Sequence, residues 1–297
     1  MVTVRNGPPA PGAARRWRVN WFALALGLPM PVWQALFFVA ALMFLVVMSF
    51  WSVESFRLTP DFSFANWLKM YSAGYFWDTY ARTVLYASLA AAVSSLIAFP
   101  CAYGLAFKVS PMARRLAVFS LITPYFTSYL VRTYSWKIVL TDKGVINSML
   151  GWVWLGPFPM INNLFATMVG YLTLVLPIVL LLQYFSLADV DRSLIEAAHN
   201  LRCSRIRAVF LVIIPEAKIG IILAATFAFI LSFGDFVSPT FLGGNKPPTM
   251  SILMVDAVKS GSQWPWAAVV ALTMVVTLLV VAFGAMTYAY GTRGRRS

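Results

Sequence analysis

Charge is scarce in this chain. Only 11% of its 297 residues are charged, with 10 acids against 23 bases, while 60% are apolar. Soluble domains carry about 25% charged residues, so an ordinary water-soluble domain is excluded, and so is a disordered chain. Cysteine is scarcer still: Cys101 lies in an apolar run and Cys203 in a predicted cytoplasmic loop. Two thiols so placed exclude a disulfide framework. The single histidine, His199, and two distant cysteines offer no metal-ligand spacing. Catalytic signatures are missing too. Gly243-Gly244-Asn245-Lys246 has glycines and a lysine but not the spacing of a phosphate-cradling loop. No serine sits in a G-x-S-x-G elbow. We therefore expect no enzymatic activity, metal or bound cofactor. Any uphill transport would draw its energy from an ion gradient or another subunit.

What is present is a series of charge-free runs: 19–53, 83–107, 116–131, 144–188, 219–234 and 260–292. A helix needs about 20 mainly apolar residues to cross a bilayer. Allowing the short runs to extend past Arg132 and Lys137, or past Asp235, predicts six spans near 31–51, 83–107, 117–139, 164–186, 218–238 and 267–289. Pro157, Pro159, Asn162 and Asn163 mark 144–163 as an outer loop or half-inserted turn rather than a seventh span. Residues 1–30 read as a cytoplasmic tail with an interfacial lead-in, 31–289 as the membrane domain, and 290–297 as a basic tail. No small-residue cleavage site follows the first apolar run, so no signal peptide is expected.

The basic residues set the expected orientation. Most fall in the N-terminal tail, the 108–115 loop, the 187–217 loop with adjoining Lys218, and the C-terminal tail. Those segments belong on the cytoplasmic side, with both termini inside a bacterial inner membrane. The net charge of +13 is then a topology signal and no sign of nucleic acid binding. The outer segments would be 52–79, whose Trp67, Tyr71, Tyr75 and Trp77 suit a membrane surface, and 245–263, a candidate contact for a delivery protein.

The 187–217 loop carries the most information. Leu194, Ala197, Ala198 and Leu201 recur at i, i+3, i+4 and i+7, one apolar face of a short helix. Asp191 or Ser193 can cap its start. A shallow alanine stripe suits a helix pressed into a partner's groove. An amphipathic helix lying on anionic lipid fits the spacing as well.

Glu196-Ala197-Ala198, with Pro215 further on, resembles the coupling-loop motif of binding-protein-dependent ABC importer permeases. Other segments are similar to the polyamine, or spermidine/putrescine, branch of that family. They are Pro124-Tyr125-Phe126-Thr127-Ser128-Tyr129-Leu130-Val131-Arg132-Thr133-Tyr134-Ser135-Trp136, Gly144-Val145-Ile146-Asn147, Gly234-Asp235-Phe236-Val237-Ser238-Pro239 and Leu242-Gly243-Gly244. The resemblance implies an all-α, six-span, type I importer permease that forms half of a pore. It implies a second, related permease, two ATPase subunits that carry ATP and magnesium, and a soluble binding protein. It assigns Glu196, Ala197, Ala198, Leu201, Arg202 and Pro215 to ATPase coupling. At one position the chain departs from the family: Arg202 stands where glycine is usual. A left-handed turn there costs a non-glycine residue roughly 1 kcal/mol, so Arg202 accepts that strain or changes the turn. The implied substrate is a polyamine such as putrescine or spermidine. Another amine, an opine or an aminoalkyl phosphonate remains open within the same class.

Asp235, Tyr125, Phe126, Tyr129 and Trp136 are the candidate pathway residues. An intramembrane carboxylate can meet a cationic substrate, and it can equally cap a helix or pair with a base. Aromatic faces attract ammonium groups and also crowd membrane interfaces without any ligand. Small residues at Ala87, Ala90, Ala91, Ala92, Ser94, Ser95 and Ala98 point to close helix packing. Pro100 and Pro177 can kink their spans. The competing functions are an ion-driven transporter, for which Asp235 is the chief support, and a non-transporting scaffold.

Overall fold

The computed structural model describes residues 22, 26–54, 57–152, 156–259 and 263–291. Most of both predicted tails, including Arg5, Arg15, Arg16, Arg18, Arg293, Arg295 and Arg296, lies outside the described residues.

The chain divides into two units, Met1–Leu45 and Val46–Ser297. The first holds most of helix α1 (Pro29–Met48), an apolar helix long enough to span a bilayer. Its turn at Ala35–Val39 is π-helical, and Trp33 stacks on Phe37 with ring centroids 4.0 Å apart.

In the second unit, strands β1 (Ser52–Glu54) and β2 (Arg57–Thr59) pair as a small antiparallel hairpin. Helix α2 (Ala65–Ser72) follows, then the long α3 (Gly74–Phe107). Next come α4 (Pro111–Ile122), α5 (Tyr129–Leu140), α6 (Val145–Trp152) and α7 (Leu164–Ala188). Helix α8 (Arg192–Asn200) leads into α9 (Arg205–Gly234), α10 (Val237–Phe241), α11 (Met250–Lys259) and α12 (Trp264–Gly291). Among the described residues, five helices are long and apolar enough to cross a membrane: α1, α3, α7, α9 and α12.

The expected third span, 117–139, is not one helix. Pro124 offers no N–H, and the chain tightens into a 3₁₀ turn over Thr123–Phe126. Thr127 then becomes extended, with its backbone amide 3.2 Å and its hydroxyl 2.8 Å from the Pro124 carbonyl. The expected span is split into two shorter helices, α4 and α5. The second span begins at Gly74 rather than residue 83, because Asp78 and Arg82 lie within its first turns. The fifth begins at Arg205 rather than near Pro215, capped by Ser204. Pro215 sits just beyond a π-helical turn, Val209–Ile213, where the Ile214 amide reaches back five residues to the Val209 carbonyl. The 144–163 segment forms short α6, and the buried Asn147 clasps the chain beyond it. Its side-chain amide donates to the Thr141 and Phe158 carbonyls and accepts from the Phe158 amide at 3.0 Å.

The core lies where α3, α7, α9 and α12 meet. Ala87, Ala91 and Ala98 of α3 face Val175 and Val179 of α7 and Ala224 and Ala228 of α9. Lipid tails are as apolar as leucine, so burial alone does not hold such helices together; small residues do, by letting backbones approach. A second cluster joins Ala102 and Ala106 to Leu187, Val190, Ile213 and Ala217. At Gly220, α9 meets α7 too closely for another atom. A Cβ on Gly220 would strike the Cβ and Oγ of Ser186, whose hydroxyl donates to the Ala217 carbonyl at 2.9 Å. Gly220→Ala is therefore expected to overpack this contact by about 1–3 kcal/mol and lower the unfolding midpoint in detergent. An unchanged midpoint would show that the contact is slack.

Candidate functional site

Two regions contain most of the residues singled out in the sequence. The first is α8. The Asp191 carboxylate accepts from the Ser193 amide at 2.9 Å and caps the helix start. That amide holds Asp191 below the usual carboxylate range. Because the folded pKa is lowered, the cap contributes at neutral pH and is lost as pH falls through it. At the other end the Arg202 amide donates to the His199 carbonyl at 2.9 Å, and the Cys203 amide donates to the Ala198 carbonyl at 3.0 Å. These two bonds form a Schellman cap, which requires a left-handed residue between them. Arg202 fills that position at φ 58°. Of the two outcomes open to Arg202, it accepts the strain and keeps the turn.

Both helix ends are thus fixed, and Ile195 packs into the cluster around Leu187 and Val190. The stripe of Leu194, Ala197 and Leu201 stays exposed, Leu201 at 84%. Ala198 is half-buried. Exposed His199 has its Nδ1 3.3 Å from the Cys203 carbonyl.

The second region is the corner between α9 and α10. Asp235 leaves α9 in an extended conformation and is 7% exposed. Its Oδ1 accepts from the Val237 amide at 2.8 Å, and its Oδ2 from the Ser238 amide at 3.2 Å and the Tyr129 hydroxyl at 2.7 Å. The Tyr129 hydroxyl also meets Ser238 Oγ. Asp235 therefore ties α5 to the start of α10. Glycines bring α7 and the adjoining chain against this corner: a Cβ on Gly170 would meet Ser238 Oγ at 2.5 Å, and one on Gly243 would meet Thr167 Oγ1 at 2.5 Å. Gly244 adopts φ 70°, a left-handed conformation that glycine takes without penalty.

The aromatic candidates separate. The Arg132 guanidinium lies 5.9 Å from the Tyr125 ring centroid and 5.8 Å from that of Tyr129, so the chain's own cation already sits over one face of each ring. Tyr125 donates to the Leu174 carbonyl. Tyr129 and Asp235 are in contact. Phe126, by contrast, is exposed, and Trp136 packs beside Leu140, Ala166 and Leu242.

A buried amide joins these candidates without any forewarning in the sequence. Gln183 of α7 is fully buried, and its Oε1 has no partner; nor does the nearby Ser95 Oγ of α3. An unpaired buried acceptor costs about 1–3 kcal/mol. Both residues border an open cavity of about 370 Å³ between α3, α7 and α9, at whose mouth Leu96 and Phe210 are exposed. A charge map gives no sign of a neutral amide.

Comparison with solved structures places this architecture. The crystal structure of a bacterial ABC transporter involved in the import of the acidic polysaccharide alginate matches with a TM-score of 0.75, covering 91% of this chain and 95% of that one at 15% identity. A bacterial alginate ABC transporter in complex with its alginate pentasaccharide-bound periplasmic protein matches at 0.69, covering 90% and 93%, also at 15% identity. The fold is that of an ABC importer permease. The sequence is similar to the spermidine/putrescine transport system permease protein PotB of Haemophilus influenzae, 28% identical over 197 residues, or 66% of this chain and 68% of that protein. PotB of Escherichia coli K12 is 27% identical over 221 residues, covering 73% and 79%. The inner membrane ABC transporter permease protein YdcU of Escherichia coli K12 is 25% identical over 311 aligned positions, covering 98% of each chain. No protein-family model matches. The resemblance to ABC importer permeases holds in fold and in sequence, and the relatives in sequence bear out its polyamine branch.

The corner makes a testable case. Asp235→Asn places an NH₂ group among three donors, and Tyr129→Phe removes one of them. Each is expected to cost about 1.5–3 kcal/mol, as for hydrogen bonds to a charged group, and to lower the unfolding midpoint in detergent. Midpoints equal to that of the unaltered chain would leave Asp235 without a structural role.

Proposed function

We propose that this chain is the membrane-spanning permease subunit of a binding-protein-dependent ABC importer for a polyamine, with putrescine and spermidine as the leading substrates. It forms half of the pore. A second, related permease forms the other half, two ATPase subunits bind ATP and magnesium on the cytoplasmic side, and a soluble protein delivers the substrate. Both termini and α8 face the cytoplasm, and the broken pair α4–α5 makes one of six crossings.

The observation that carries this reading is α8. A short helix fixed at both ends carries the Glu196-Ala197-Ala198 motif and presents an exposed apolar stripe of Leu194, Ala197 and Leu201. An exposed stripe on a rigid mount suits a helix that fits a groove on a partner. Ile195 and Val190 tie the helix to α3, α7 and α9, and only the short link through Ser204 separates it from α9. Displacement of α8 by a closing ATPase pair would therefore pass into the core. Glu196, Ala197, Ala198, Leu201 and Arg202 form the docking surface. Pro215 belongs to the reading through its place beside the π turn of α9. Asp235 and Tyr129 shape the adjoining corner of the pathway, with Tyr125, Phe126 and Trp136 on the same broken crossing.

Affinity purification in mild detergent, with co-purifying proteins and small molecules identified by mass spectrometry, tests the assembly. An ATPase and a second permease are the expected companions, and a retained amine or phosphonate would identify the substrate class. Uptake that survives ATP depletion but stops with an ionophore would overturn the proposal. Ala197→Arg should block docking and reduce uptake at least tenfold, equal to about 1.4 kcal/mol, with an unchanged unfolding midpoint. Arg202→Gly relieves the left-handed strain and should still couple. Loss of coupling in that variant would mean that the arginine side chain itself makes the contact.

A further inference from the structure

Resting on the polyamine reading above, we infer that Gln183 and Ser95 form an ammonium-binding step on the translocation route. The Gln183 side-chain nitrogen lies 3.3 Å from the Ser95 carbonyl. A carbonyl can only accept, so the amide nitrogen must face it and the amide oxygen is the atom left over. Ser95 Oγ is the second acceptor without a partner, one residue from Leu96 on the same cavity wall. The rest of the lining is apolar and includes the rings of Phe99 and Phe210. Phe210 stands on the π-helical turn Val209–Ile213, and π turns within α-helices recur at functional sites.

An alkyl polyamine has both parts this arrangement calls for. The methylene chain suits the apolar wall. Gln183 Oε1 and Ser95 Oγ are closed off from the cavity in this conformation, so an ammonium group supplies the donors they lack only when the helices part. The two aromatic rings add attraction for its charge. Among the described residues, no acid lines the cavity. A transport step must bind its ion firmly enough to admit it and weakly enough to release it, and neutral acceptors do so where a carboxylate would hold on. The alternative acid, Asp235, already has both oxygens engaged.

The test uses the assembled transporter in proteoliposomes. Unaltered transporter is first shown to take up putrescine with ATP; failure there sinks the polyamine reading itself. Gln183→Leu is then expected to raise the KM for putrescine at least fivefold. Gln183→Glu should lower KM and kcat together, as a charged acceptor traps the cation. Because Gln183 is buried, a second variant guards against misfolding: Ser95→Cys in a background with Cys101 and Cys203 replaced by serine. Its thiol should react with the cationic reagent 2-aminoethyl methanethiosulfonate, and spermidine should slow that reaction. A lipid-facing thiol stays protonated and does not react. With normal uptake by the unaltered transporter, an unchanged KM in both Gln183 variants overturns the inference. A Ser95→Cys variant whose new thiol is unreactive, or is not protected by spermidine, overturns it too.

Discussion

Lipid supplies no hydrogen bonds, and this constraint governs the structure more than any other. Inside hydrocarbon each backbone N–H and C=O must find a partner within the protein. Regular helices meet that demand automatically, but their ends and breaks do not. The breaks here are accordingly where side chains act for the backbone. Thr127 serves the Pro124 carbonyl where α4 gives way to α5. Asn147 closes the turn beyond α5 with three bonds. Asp235 satisfies two amides as α9 gives way to α10 and draws in Tyr129 from α5. Motif residues that look like a list in the sequence are the polar stitching of irregular backbone.

The same constraint explains what the sequence made legible. Charge exclusion marked α3, α7, α9 and α12, because a lipid-crossing helix tolerates few ionised groups. The ends were harder to place. Asp78 and Arg82 hid the first turns of α3, and Arg205 and Arg207 hid those of α9, since a helix continues beyond the hydrocarbon where charge is harmless. Pro124 was visible, yet a proline only permits a break; whether the chain bends or breaks there depends on what can satisfy the freed carbonyl. The i, i+3, i+4 spacing of Leu194, Ala197 and Ala198 revealed α8 because the helix is amphipathic. Gln183 left no trace, being neutral within an apolar run.

Arg202 shows how a helix cap can hold a residue in a strained conformation. The Schellman cap fixes where α8 ends, so the chain must turn left-handed there whichever residue is present. With arginine, the turn costs roughly 1 kcal/mol that glycine would avoid. The cost is local, because hydrogen bonds to His199 and Ala198 hold the turn. Under the proposed coupling role, a firm helix end matters more than a relaxed one.

The placement of charge also bears on how a cation could pass. Arg132 holds its guanidinium over Tyr125 and Tyr129, the aromatic faces that a passing ammonium would otherwise use. Its Nε has no partner, and Asp235, bound by three donors nearby, is committed to the corner. A free carboxylate at that depth would attract a polyamine strongly and release it slowly. On the proposed reading a binding protein feeds the permease, which has little use for such affinity, because capture has already taken place outside the membrane. What it needs inside is a sequence of weak contacts whose geometry changes as the helices move. Neutral amides, hydroxyls and ring faces between tightly packed helices meet that requirement, and movement of α9 against α3 and α7 would alter all of them at once.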